Sequence, residues 1–320
     1  MQDILELKNL QRLSFSSFDH TTVGLGYFKE LESLPNIKTL GLGSLPGGRS
    51  AAEEKGPTES FHNFPALENL SFTSYNRGAV QILSQLQSNT LKTIAFNHTA
   101  GKYDDEEEFD WDSEFSGELL SFVTDKQFGS LTKLQINSWG TVDPIWLNPL
   151  LQIRGMETFD LEFARCSYLT DEMVEAMTSA WPRLEVFRLY VEDGLCQPSI
   201  QSFQSFAKHC PNLQSLSLDF DTSVVPSYES HHESSNILPL ENISVFSVSS
   251  CACIHRKDVQ GLTEYLRARL PSLVFAFVEN RDNRIMGLCY DSRDWSGVFS
   301  GLMELNAEER RSLKNILQPL

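Results

Sequence analysis

The chain has 320 residues, 41% of them hydrophobic and 22% charged, which is enough to bury a substantial core in one or two domains. Its 43 acidic residues outnumber its 26 Lys and Arg residues, and the formal net charge of −17 disfavours nucleic acid and anionic membrane surfaces as partners. The sequence contains no apolar run of about eighteen residues and no signal peptide at its start, so we expect a soluble intracellular protein, cytoplasmic or nuclear or both.

A spaced apolar phrase recurs from the first residues onward. In its first copy, Leu7, Leu10, Leu13 and Phe15 have the spacing apolar-x-x-apolar-x-x-apolar-x-apolar. Ten copies follow one another, and nine steps between their third apolar positions average about 29 residues, which is typical of leucine-rich repeats. These third positions are Leu13, Leu40, Leu70, Ile94, Leu134, Phe159, Phe187, Leu216, Phe246 and Ala276.

Prolines and helical periodicity fill the remainder of each repeat. In five copies a proline directly follows the first apolar position, where it would end a helix and favour extended backbone, as at Pro182 and Pro211. Thr170 begins a predicted helix with acidic residues in its first turn, and further helices are predicted after Pro198 and Asp258. Each repeat is therefore predicted to be one short strand followed by one helix.

Such a unit can bury its apolar side only against its neighbours. The predicted fold is α/β, a leucine-rich-repeat solenoid or horseshoe with a parallel concave sheet and convex helices. We expect about ten units over residues 1–278 without an internal domain boundary, and a C-terminal cap over residues 279–320. Asn306 and Glu309 have the spacing of a capping box ahead of a last amphipathic helix.

The phrase from Cys210 to Leu218 resembles the cysteine-containing leucine-rich repeats of F-box proteins. The segment from Tyr168 to Val174 is similar to the part of those repeats that opens the helix, and the irregular units most resemble F-box-like repeat proteins of fungal type. This chain departs from the family pattern in two ways. The F-box module is not visible before Leu7, and only Cys251, among ten copies, occupies the family's Cys or Asn position. The resemblance implies substrate recognition for a ubiquitin ligase of the SCF type, provided that a docking module exists elsewhere in the full gene product.

Strand alternation predicts which side chains line the concave face. Most of them are small and polar, whereas the C-terminal copies place Arg188, Tyr190, Phe275 and Phe277 there. Because Arg and aromatic residues dominate interface hot spots, we predict that a protein partner binds at these four positions. The alternative for the two phenylalanines is that the C-terminal cap covers them.

The segment from Tyr103 to Phe115 interrupts the repeat with eight acidic residues. Phe109 and Trp111 lie among them, so the segment is a candidate for docking on a basic, partly apolar groove of a partner. The alternative is a solvated insertion.

The sequence gives little indication of catalysis or metal binding. Cys251, Cys253 and His255 are too few for a structural zinc site, which needs four ligands, and the scattered cysteines are expected to be reduced thiols. Neither a nucleophile elbow nor a phosphate-binding glycine loop is recognisable. We therefore expect no enzyme activity, no catalytic residues, no metal and no cofactor. The expected function is that of a protein-interaction scaffold, monomeric outside a complex, whose partner has a basic or apolar surface. The alternative is a leucine-rich-repeat binding module or regulator without a ligase connection.

Overall fold

The computed structural model describes residues 8–15, 31, 34–45, 64–74, 86, 88–98, 119–121, 123, 129–166, 168–194, 197–223, 239–249, 259–279, 297–300 and 302. Two compact units divide the chain, Met1–Ser167 and Tyr168–Leu320. The division falls within the sixth repeat, between its strand and its helix, where the sequence suggested no boundary. The predicted limits of solenoid and cap, 1–278 and 279–320, remain a prediction.

The first unit contains six parallel strands that pair in chain order. Their bounds are β1 Arg12–Phe15, β2 Thr39–Leu45, β3 Asn69–Ser74, β4 Thr93–His98, β5 Lys133–Val142 and β6 Thr158–Cys166. The second unit contains four, also parallel and in chain order. These are β7 Val186–Gly194, β8 Ser215–Leu218, β9 Val245–Ser249 and β10 Phe275–Glu279.

The register of these strands follows the sequence repeat. Leu13 pairs with Leu40, Leu40 with Leu70, and the third apolar positions continue to face one another up to Phe159. In the second unit Phe187 pairs with Leu216, Leu216 with Phe246, and Phe246 with Ala276. Almost all of these side chains are buried, and each stacks on its equivalent in the next repeat. The predicted α/β leucine-rich-repeat solenoid is therefore confirmed at the level of strand pairing.

Tight turns lead into the strands at the predicted junctions. The amide of Leu184 donates to the carbonyl of Trp181 at 3.1 Å, and the amide of Leu213 donates to that of Cys210 at the same distance. The side chain of Asn242 bonds the Pro211 carbonyl of the preceding repeat at 2.7 Å, which ties successive turns together. The prolines thus stand where the sequence places them, in the turn between helix and strand.

Helices occupy the other side of the repeat in the second unit. They are α1 Asp171–Ala180, α2 Phe203–His209 and α3 Val259–Arg269, and a 3-10 turn, Ile200–Ser202, leads into α2. The Thr170 hydroxyl caps α1 by accepting from the amide of Met173 at 3.4 Å, and Asp171 and Glu172 lie in the first turn. All three helices lie where the sequence predicts them.

In one repeat of the first unit the strands are longer than expected and the predicted helix is of the 3-10 type. A 3-10 helix, Pro144–Gln152, separates β5 from β6. Pro149 inside it lacks the N–H that an α-helical hydrogen bond requires. Strands β5 and β6 are ten and nine residues long, and their register shifts between Ser138 and Thr141.

The C-terminal region is described only at residues 297–300 and 302, which are helical. Val298 and Phe299 are buried there, and the Phe299 ring lies 6.1 Å from that of Phe246 in β9. The helix predicted after Asn306 lies outside the described residues. Within the described part of the chain, no helix has both the length and the apolar character that crossing a membrane requires.

Candidate functional site

The candidate site is the polar face of the sheet, which consists of the strand side chains that alternate with the buried apolar ones. In the first unit this face lies open over several strands. Ser14, Ser71 and Asn97 are exposed, and the neighbouring face residues of β4, β5 and β6 are half-buried. A partner could therefore reach side-chain hydroxyl and amide groups that the strands hold at regular intervals across β1 to β6.

Amide and carboxylate side chains pair across β5 and β6 on this face. Gln135 donates its Nε2 hydrogen to Asp160 Oδ2 at 3.2 Å, and Asn137 donates its Nδ2 hydrogen to Glu162 Oε2 at 2.9 Å. In each pair the two residues stand directly opposite each other in the register of β5 and β6. Both carboxylates are thus held in fixed orientations, which reduces the entropy lost when a partner binds there.

Close packing at Gly41 brings β1, β2 and β3 together on the polar face. A Cβ atom on Gly41 would lie 2.8 Å from Ser14 Oγ and 3.3 Å from Ser71 Oγ. The glycine therefore leaves room for the two serines on the neighbouring strands, and a larger side chain would force them aside.

In the second unit a tyrosine covers the polar face. Tyr190 extends from β7 across β8 to β9, and its hydroxyl bonds Ser217 and lies 3.1 Å from Ser247 Oγ. Ser217 and Ser247 also bond each other. Because Tyr190 is only 6% exposed, most of its ring is unavailable to a partner in this structure.

The predicted contact residues therefore have different environments. Arg188 is half-buried in β7, and Phe275 is 44% exposed in β10. Tyr190 is buried, whereas the sequence predicted it as an exposed contact. The register places Arg188 beside Ser217, Ser217 beside Ser247, and Ser247 beside Phe277, so Arg188 and Phe277 share one row of the sheet. The side chain of Phe277 lies outside the described atoms.

Phe109 and Trp111 lie outside the described residues, as does the whole acidic segment 103–115. Phe275 is 44% exposed, and the alternative that the C-terminal cap covers it also stays a prediction, since most of residues 279–320 lie outside the described residues. The role of these side chains in binding a partner stays a prediction.

The serine partners of Tyr190 were not predicted from the sequence. A signal exists in hindsight, because Ser217 and Ser247 occupy equivalent positions in two successive repeats. Their small side chains leave space in which a long neighbour from the adjacent strand can lie flat.

A buried tyrosine and arginine brace the helical side of the second unit. Tyr265 in α3 donates its hydroxyl hydrogen to the carbonyl of Ile200 at 3.2 Å, and the guanidinium of Arg269 lies 5.0 Å above the Tyr265 ring. Burial raises the pKa of Tyr265, although Arg269 opposes that shift. This arrangement is a structural contact between repeats.

Thiol and metal chemistry find little support among the described residues. Cys210 is free and buried, its Sγ lies 3.6 Å from the Thr178 carbonyl, and burial raises its pKa to about 12. No group of three His, Cys, Asp or Glu suited to a metal occurs within the described ranges, and Cys251, Cys253 and His255 lie outside them.

The fold and this face define the chain as a leucine-rich-repeat solenoid with an accessible polar sheet surface. No family model matches the sequence. A putative F-box/LRR-repeat protein 23 from Arabidopsis thaliana is 31% identical over 101 residues, which is 32% of this chain and 21% of that protein. The chain thus matches about a fifth of this relative. A crystal structure of the Rad7 and Elc1 complex in yeast is similar with a TM-score of 0.44 and 15% identity, covering 91% of this chain and 76% of that one.

Proposed function

We propose that this chain is a protein-interaction scaffold that binds a partner on the polar face of its sheet. The observation that carries the proposal is the in-register parallel ladder of the first unit, which keeps a row of polar side chains accessible over six strands. A rigid, preorganised surface of this kind favours binding, because little conformational entropy is lost on association. The local similarity to an F-box/LRR-repeat protein supports the same role.

The finer proposal is that the bound partner is a substrate for a ubiquitin ligase of the SCF type. It is supported by the resemblance of the repeats to those of F-box proteins and requires a docking module in the full gene product. We propose an intracellular location, and a monomeric state outside the complex. The rival is a repeat module without a ligase connection.

The proposed contacts in the second unit are Arg188, Phe275 and Phe277, with Phe109 and Trp111 of the acidic segment as further candidates, whereas the buried Tyr190 stabilises the face itself. Phe275 is the most direct to test, because its ring is already exposed. An exposed aromatic ring can bury a large area with few rotatable bonds.

Two experiments test the function. Affinity purification of the full-length gene product, followed by binding to the purified ligase adaptor, tests the ligase role. Absence of adaptor binding would leave the rival as the better description. The contacts are tested by Phe275→Ala and Arg188→Ala, with Tyr168→Ala as the matched control, since Tyr168 is an aromatic residue 61% exposed elsewhere in the second unit. Equal partner binding by all three variants would refute the proposed contacts.

A further inference from the structure

Charge is segregated along the strands of the first unit. The turns before the strands, together with the first residue of each strand, form one edge of the sheet, which we call the basic edge. The six cations of this unit whose side chains are described all lie on it, together with two carboxylates, which leaves a formal excess of four positive charges, whereas Arg165, of which only the backbone is described, is the eighth residue of β6. The cations are Lys8, Arg12, Lys38, Lys92, Lys133 and Arg154, and the carboxylates are Glu68 and Glu157.

The remaining described carboxylates of the unit lie further along the strands. Asp160 and Glu162 are the third and fifth residues of β6, and Asp143 follows β5. A chain with a formal net charge of −17 thus presents a locally positive border. The overall negative charge predicts a basic partner, whereas this positive border favours an acidic one.

The backbone fixes the order of these residues. The amide of Lys38 bonds the Gln11 carbonyl at 2.8 Å, that of Glu68 bonds the Lys38 carbonyl at 2.9 Å, and that of Lys92 bonds the Glu68 carbonyl at 2.8 Å. The same ladder continues through Thr132 to Glu157. The row therefore crosses β1 to β6, about 24 Å at the usual strand spacing of about 4.8 Å.

Only part of this positive charge is neutralised within the described residues. Glu68 lies 2.9 Å from Lys92 Nζ and 3.9 Å from Lys38 Nζ, and the hydrogen bond and charge of Lys92, with a smaller effect of Lys38, lower the pKa of Glu68. Both lysines still have side chains more than half exposed, at 51% and 56%. Arg12 and Arg154 are exposed as well, and no ion pair is formed by either with another described residue.

We propose that the basic edge binds an extended acidic segment of a partner protein. An extended peptide rises about 3.3 Å per residue, so about eight residues span the row, and carboxylates at alternate positions of one face recur at about 7 Å. Cations one or two strands apart are about 5 or 10 Å apart at the backbone, and the long Lys and Arg side chains can adjust their charged ends to carboxylates at about 7 Å. The inference rests on the proposed role in protein binding and names the chemistry of one partner.

Nucleic acid is the competing polyanion, and the structure favours the peptide. Proteins that bind single strands stack the bases on aromatic side chains. Phe64 is the one aromatic residue described in these turns, and at 3% exposed it is buried and cannot stack on a base. The net charge of −17 also repels a long polyanion, whereas a short acidic segment meets only the local positive field.

The test measures binding of a fluorescein-labelled peptide of about eight residues, alternating Glu and Ser, to the full chain by fluorescence anisotropy. The edge variant combines Arg12→Gln, Lys133→Gln and Arg154→Gln. The control variant combines Arg183→Gln, Lys208→Gln and Arg267→Gln, three exposed cations of the second unit, so the net charge of the two variants is equal. Thermal melting verifies that each variant is folded, and Arg154→Gln alone in its exposed turn serves if the triple edge variant does not fold.

We expect binding that weakens about tenfold in the edge variant, since each lost exposed ion pair costs a few-fold in affinity, and changes less than about twofold in the control. Raising the ionic strength from about 0.05 to about 0.3 M should also weaken it. Equal loss in both variants, or no measurable peptide binding, would overturn the proposal. Tighter binding of a 15-nucleotide oligothymidine, lost in the edge variant, would overturn it in favour of nucleic acid. None of these outcomes bears on the adaptor experiment, so the two proposals fail separately.

Discussion

Substitutions of Tyr190 test whether this residue stabilises the fold or contacts a partner. The ring is 6% exposed, and its hydroxyl bonds Ser217 and Ser247. Tyr190→Phe removes one hydroxyl but leaves the two serines bonded to each other, so we expect a loss of about 1 kcal/mol in the free energy of unfolding. Tyr190→Ala also removes a buried ring of roughly 200 Å², which at about 25 cal/mol per Å² sets an upper bound of about 5 kcal/mol.

Water can enter the space that the alanine leaves on a sheet face, so we expect about 3 kcal/mol for Tyr190→Ala, at the low end for aromatic truncations. Urea unfolding followed by circular dichroism measures the change from the midpoint and slope. Phe275→Ala is the matched control, because a ring that is 44% exposed should cost clearly less. An unchanged midpoint for Tyr190→Ala, together with lost partner binding, would refute this reasoning and show that the ring is an exposed contact.

Three further predictions concern the helical side of the second unit. Hydrogen bonds from Ser205, His209 and Lys208 lower the pKa of Glu175 from 4.5 to about 2, so its ionised form stabilises the fold above about pH 4.5 and that contribution is lost as the pH falls towards 2. Glu175→Gln should therefore be less stable than the parent at pH 7 and nearly equal to it near pH 2 in urea titrations, and Glu185→Gln, at an exposed position, controls for the loss of one negative charge. Burial raises the pKa of the Cys210 thiol to about 12, so this thiol should resist alkylation at pH 8 in the folded chain and react after unfolding. Peptide mass mapping would measure the labelling. Rapid labelling of the native chain would contradict the burial of Cys210. Asp171→Ala should destabilise the chain by about 1–3 kcal/mol, because Asp171 accepts hydrogen bonds from the Ser199 amide at 2.9 Å and from the Ser202 hydroxyl. An equal loss of stability in Asp171→Asn and Asp171→Ala would refute this acceptor role.

The repeat made the strands predictable from the sequence, because burial of an apolar face imposes one register on every copy. The third apolar positions pair as expected even in the weak copy at Ile94, which lacks an apolar first residue. The cap at Thr170 and the helix before Pro271 followed from local chemistry alone. The 3-10 helix Pro144–Gln152 was not predicted, since the apolar spacing of a repeat does not specify the type of helix between two strands.

Strand alternation predicted the face on which Tyr190 lies but gave no information on its burial. Burial depends on the neighbours two strands away, and Ser217 and Ser247 are small enough for the ring to lie over them. The same limit explains why the polar face is accessible at Ser14 and Ser71 and covered in the second unit. The composition likewise did not predict the positive charge of the basic edge. A net charge sums over the whole chain, while a partner meets only the charges within about 10 Å of it.

The two surfaces therefore differ in what they can contribute to binding. On the polar face, hydroxyl and amide groups held by the ladder offer directional hydrogen bonds, which favour specificity for one partner. On the basic edge, the exposed ends of Lys38 and Lys92 offer charge without fixed geometry, which accelerates encounter and weakens with salt. A partner that carries an acidic segment beside a polar surface would use both, so removing the edge cations should slow its association, whereas substitutions on the face should speed its dissociation.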